Sequence, residues 1–141
     1  MTRDEIVGMF AQRHDAINRR DIAFIVGQYA PDCEQISPLA GATVKGREAI
    51  GKLYTTWFKG FPDLVWTNEE LLVDGNRVAE MTMLSGSDTG GFMGLSPTGK
   101  PFHVPVVWLF TVKDGQFTHV RPTYDFTGLL VQIGLLKARP A

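Results

Sequence analysis

The sequence predicts an α+β fold: helices first, then an antiparallel meander of strands. Three observations carry this. Apolar residues recur at helical spacing only up to Lys59. From Leu64 onward the pattern is that of strands, divided by the turn sequences Asp74-Gly75-Asn76 and Lys113-Asp114-Gly115-Gln116. No repeat, low-complexity tract or linker interrupts the 141 residues, of which 44% are hydrophobic and 21% charged, so residues 1–141 are expected to form one domain.

Each element has a local cause. Thr2 followed by Asp4 and Glu5 is a helix start, and Ile6, Val7, Phe10 and Ile17 form an apolar stripe continuing to about Arg20. Asp21 can cap a second helix, Ile22 to Tyr29, closed by Pro31 and Asp32. Cys33 to Ser37 and Thr43 to Lys45 read as short strands around a turn holding Pro38 and Gly41. A third helix, Arg47 to Lys59, carries Ile50, Leu53, Tyr54, Trp57 and Phe58 on one side and stops at Gly60-Phe61-Pro62-Asp63. Leu64 to Val73 and Arg77 to Ser87 read as a hairpin. Residues 90–99 form a loop bearing glycine and proline; the glycines of residues 85–91 are expected to permit a bulge or bend, with Phe92 and Met93 over a pocket mouth. Phe102 to Val112 is nearly continuous apolar strand, Phe117 to Tyr124 is its partner, and Phe126 to Leu136 reads as a last helix.

Composition excludes several functions. Fourteen basic and fifteen acidic side chains leave a formal charge of −1, which argues against a nucleic-acid binder and a polybasic membrane module. No apolar run approaches the roughly 20 residues of a membrane span. The charged start, MTRDEIVGMF, is unlike a signal peptide, so a cytoplasmic protein is expected. One cysteine, Cys33, precludes an internal disulfide, and His14, His103 and His119 match no zinc spacing. The glycines of residues 85–91 lack the strand–loop–helix context of a nucleotide loop. Neither a metal nor an organic cofactor is expected.

Six segments occur in a recognisable order: residues 16–21 (AINRRD), 46–50 (GREAI), 60–63 (GFPD), 94–100 (GLSPTGK), Asp114-Gly115, and 125–134 (DFTGLLVQIG). With them the sequence resembles the SnoaL-like polyketide cyclases of the nuclear transport factor 2-like superfamily. The resemblance implies a cone, a strongly curved mixed or antiparallel sheet wrapped around three N-terminal helices with an apolar pocket between them. It also implies a homodimer through the outer sheet face. Val104, Val106, Trp108 and Phe110 would then face the cone, while Pro105, Val107 and Leu109 would face outward and need cover. The aspartate that serves the cyclases as general acid/base falls at Pro122, and a pocket histidine or acid falls at Trp108. The carboxylate of ketosteroid isomerase falls at Ser37, its helix-one tyrosine at Arg13 and its helix-three tyrosine at Tyr54. Most of either catalytic kit is therefore missing.

The remaining candidates are few. His14 can serve as a general base, or else bond a backbone carbonyl at the rim. Asp125 can move a proton at a cavity mouth, or else cap the last helix. Arg13 can clamp a carboxylate or enolate, or else lie on a solvated helix face. Tyr54, Trp57 and Phe58 from the third helix are candidate ligand contacts. So are Val106, Trp108 and Phe110 on one strand, and Val120, Pro122 and Tyr124 on the next; any of these rings can also be plain core. Two functions stay open. One is a cofactor-independent isomerase, cyclase or dehydratase acting next to a carbonyl of an apolar cyclic or aromatic substrate. The other is a non-catalytic ligand-binding or dimeric scaffold module.

Overall fold

The computed structural model describes residues 1–137. Its centre is a six-stranded sheet in the order β2-β1-β6-β5-β4-β3. The strands are β1 (Tyr29–Ser37), β2 (Ala42–Lys45), β3 (Val65–Asp74), β4 (Arg77–Ser87), β5 (Pro101–Lys113) and β6 (Gln116–Thr123). Only β1 and β6 run parallel; every other pair is antiparallel, so the sheet is mixed. Helices α1 (Arg3–Arg19), α2 (Ile22–Gly27) and α3 (Arg47–Gly60) pack on its concave side, and α4 (Phe126–Gln132) follows β6.

The local chemistry explains the boundaries. Thr2 and Glu5 form a reciprocal capping box at the start of α1. Arg20 closes that helix in the left-handed conformation at φ 60°, and its guanidinium donates to the carbonyl oxygens of Ile17 and Leu64. Asp21 caps α2 through Phe24 N–H. That helix ends at Gly27, two residues before the predicted Tyr29, because Tyr29 already pairs with Phe117 in the parallel ladder. Pro31 and Asp32 sit exposed in the register shift between Tyr29 and Glu34, where a missing N–H is tolerated. The last helix is shorter than expected: Gly134, at φ 82°, turns the chain after Ile133.

Strand alternation puts Val78, Glu80, Thr82 and Leu84 of β4 inside, together with Val104, Val106, Trp108, Phe110 and Val112 of β5. Pro105 and Val107 face outward, Val107 at 44% exposure. The loop after β4 departs from expectation. Gly86 stays in register opposite Phe102, and the irregularity lies instead on β3, between Asn68 and Glu70. Phe92 is fully buried, stacked on Phe61 at 4.6 Å and 5.0 Å from Trp57, so it is core rather than a lid. Its position is set by buried Asp88, which accepts hydrogen bonds from Phe92 N–H and from Thr98. No described helix is long and apolar enough to cross a membrane.

Candidate functional site

Five elements supply the polar and aromatic side chains of the site. Helical spacing of three and four residues puts Tyr54, Trp57 and Phe58 on the sheet-facing side of α3. The end of β1 contributes Gln35 and Ser37, β3 contributes Trp66, and β5 contributes Val106 and Trp108. Pro122 and Tyr124 complete the wall from β6 and the turn beyond it. The room among these side chains is about 50 Å³, with Pro38 of the β1–β2 turn also in its lining. Seven predicted contacts thus meet in one wall: Tyr54, Trp57, Phe58, Val106, Trp108, Pro122 and Tyr124.

The polar end of the wall is wired together. Tyr29 hydroxyl donates to Gln35 Oε1 at 2.9 Å and lies 2.9 Å from Tyr54 hydroxyl. Tyr29 has one proton, already given to Gln35, so Tyr54 must donate to Tyr29. Ser37 hydroxyl accepts from Ala40 N–H and keeps its own proton free. Burial pushes the Tyr124 and Tyr29 phenols well above their ordinary range, so both remain protonated donors at neutral pH. The wall therefore offers aromatic faces and donors, with no carboxylate or imidazole among its residues.

The charged groups lie behind the wall. Arg13 is 1% exposed, so the solvated helix face is not its setting. Its Cζ lies 5.0 Å from the Trp108 ring, 5.5 Å from Trp66 and 5.8 Å from Tyr54. Burial opposes the charge on Arg13, and Tyr54, Tyr29 and Glu80 more than offset it, so the guanidinium stays ionised. Glu80 is 1% exposed, directly opposite Trp108 on the neighbouring strand. Burial pushes its carboxyl up, against the pull of Arg13 and His14. Glu80 was not among the sequence candidates, although strand parity counted from the Asp74-Gly75-Asn76 turn puts it inside with Val78 and Thr82.

The other predicted residues sit elsewhere. His14 Nε2 lies 2.8 Å from the Trp66 carbonyl oxygen. A carbonyl only accepts, so Nε2 carries the proton and His14 ties α1 to β3. Asp125 is exposed and caps α4 by accepting from Gly128 N–H at 2.8 Å. Phe110 and Val120 are buried outside the wall, Phe110 against Phe10 and Phe117. Burial raises the Cys33 thiol as well, the condition of an unreactive packing cysteine. Among the described residues no three metal-ligating side chains come together.

Comparison with known proteins sets this geometry in context. No curated protein matches the sequence. AclR from Streptomyces galilaeus, described as a candidate hydroxylase, is 26% identical at a TM-score of 0.83, covering 99% of this chain and 87% of its own. A candidate SnoaL-like polyketide cyclase from Jannaschia sp. CCS1 is 28% identical at 0.80, covering 97% and 94%. A nuclear transport factor 2-like protein from Burkholderia pseudomallei K96243 shares the fold at 0.78 with 14% identity, covering 95% and 99%. The model of the SnoaL-like domain matches residues 10–120, a span that takes in the C-terminal part of α1, the whole of α2, α3 and β1 to β5, and most of β6. Sequence and architecture agree on this point: the chain belongs to the SnoaL-like domain family.

Proposed function

We propose that this chain, a single SnoaL-like domain over residues 1–141, receives a flat, largely apolar cyclic or aromatic molecule bearing a carbonyl. The observation that carries the reading is the aromatic wall beside two hydroxyls, Ser37 and Tyr124, that donate to no described residue. Rings select a flat apolar body, and protonated hydroxyls select an acceptor oxygen. With donors but no base in the wall, binding and carbonyl polarisation are what the geometry supports best. His14 and Asp125 are engaged in structural bonds and are not offered as the proton-moving groups.

An isomerase, cyclase or dehydratase reading is favoured by one observation, buried Glu80, whose carboxyl is biased towards its protonated form beside the wall residue Trp108. Such chemistry would need no cofactor. Pairing with a second copy through the outer sheet face fits exposed Val107 and Ile36, and sedimentation would test it.

Ligand-observed NMR against cyclic and aromatic ketones tests the main reading. Ketones are expected to bind the wild type and to weaken with Trp108→Ala and Tyr124→Phe. Binding untouched by both substitutions refutes the assignment of the cavity. Exchange of solvent protons next to the bound ketone, abolished by Glu80→Gln, would favour the enzyme.

A further inference from the structure

We infer that Arg13 is the counter-charge for an anionic oxygen, so that the ligand of the cavity is a planar acid: a cyclic or aromatic carboxylate, or an ionised enol. This rests on the cavity reading above.

The protein provides its own contrast. Arg20 and Arg47 are structural arginines, and backbone carbonyls fill their donors. Arg20 reaches Ile17, Leu64 and Pro62, and Arg47 reaches Tyr29 and Gly27. Arg13 is the most deeply buried of the three, yet Nε, Nη1 and Nη2 all lack a partner in good geometry, and the Tyr54 hydroxyl beside them is already engaged with Tyr29. The rings around it attract its charge but leave its N–H fork unfilled. Buried donors in native proteins are filled almost without exception, so an empty fork points to an absent acceptor.

A second donor converges on the same place. Trp108 Nε1 is buried without a partner, and its ring is the nearest of those around Arg13. The one carboxylate close by, Glu80, forms no hydrogen bond with Arg13, and its Oε1 is also unpartnered. Donors therefore outnumber acceptors. A planar anion with two oxygens matches the guanidinium fork better than a ketone does.

Access follows from shared walls. Tyr54, Trp66 and Trp108 touch both Arg13 and the cavity, so one side-chain thickness separates the fork from the open room. Trp108 is held by packing alone, since no hydrogen bond fixes its indole. Turning that ring lets the acid group of a bound ligand reach Arg13 and Trp108 Nε1 together.

The test compares 2-naphthoate with 2-acetylnaphthalene, a neutral ketone on the same ring system, by calorimetry on the full chain. Wild type is expected to prefer the acid by about tenfold or more. Arg13→Met should remove that preference while the ketone still binds. Glu80→Gln removes the competing carboxylate and should tighten naphthoate, which keeps the test decisive if the Arg13 variant does not fold. Equal binding of acid and ketone by wild type overturns the inference and leaves the cavity reading standing. So does a preference that survives Arg13→Met, or naphthoate affinity unmoved by Glu80→Gln. Failure of both probes to bind overturns the cavity reading itself.

Discussion

Replacing Glu80 by glutamine changes how stability depends on pH, and the sign can be worked out. The carboxyl is 1% exposed, and one of its oxygens has no partner. Burial raises its pKa from the ordinary 4.5, and the pull of Arg13 and His14 does not reverse that. The folded state therefore holds the proton more tightly than the unfolded chain. Stability linked to Glu80 is full below about pH 4.5 and is lost as pH rises through the raised native value. Above that value the loss is about 1.4 kcal/mol for each tenfold by which folding weakens the acid. Relative to Glu80→Gln, wild type should thus become progressively less stable from acid to neutral pH. In an Arg13→Met background the same difference should grow and extend to higher pH, because the main opposing charge is gone. Urea unfolding followed by tryptophan fluorescence across this range measures the difference directly. A difference that is flat with pH refutes the argument. One that grows in favour of wild type as pH rises shows that Arg13 and Glu80 form a direct ion pair that outweighs burial.

Three further outcomes are expected. Gly90→Ala drives a Cβ into the Lys59 carbonyl oxygen, backbone against backbone, and should cost about 2 kcal/mol or more by thermal unfolding. Asp125→Ala removes the cap on α4 and should cost about 1 kcal/mol; a loss of ligand affinity larger than that would return Asp125 to the cavity mouth. Tyr124→Phe removes a hydroxyl that donates to no described residue and should weaken ketone binding by about tenfold, the worth of one well-placed hydrogen bond in a dry site, read by calorimetry.

The sheet was legible because its turns are. Asp74-Gly75-Asn76 sets the hairpin so firmly that β4 runs over the predicted Arg77–Ser87. Where elements moved, a tertiary contact prevailed over local pattern: pairing with Phe117 draws Tyr29 out of α2 and into β1. The charged interior was harder to read. Arg13 lies three residues after Phe10 and four before Ile17, on the buried stripe of α1, and only its charge argued for solvent. Aromatic rings from α3, β3, β5 and β6 provide the cage, and one helix cannot reveal partners so distant in sequence. Glu80 was within reach of parity counting, but glutamate on a strand reads as surface unless its phase is followed from the turn. The aromatic wall was accessible for the opposite reason. Trp57, Trp108 and Tyr124 are large enough that helix and strand phase alone directs them inward.

The two positions at which the resemblance leads one to expect titratable groups in related enzymes are not independent here. Trp108 and Pro122 face each other as cross-strand partners on β5 and β6, and both line the cavity. Proline gives up an N–H, which costs least at a site not bonded in the ladder, and tryptophan fills the room that a smaller polar side chain would leave. Together they give that part of the cavity a rigid apolar surface. Charge lies behind that surface, in Arg13 against the Trp108 ring and in Glu80 opposite Trp108 on β4. In such an arrangement Trp108 governs the chemistry of the cavity. While its ring is in place, a ligand meets only aromatic faces and hydroxyl donors. Once the ring turns, the ligand meets a guanidinium and a carboxyl whose proton affinity depends on that same cation, so binding of an acid and protonation of Glu80 become one coupled event.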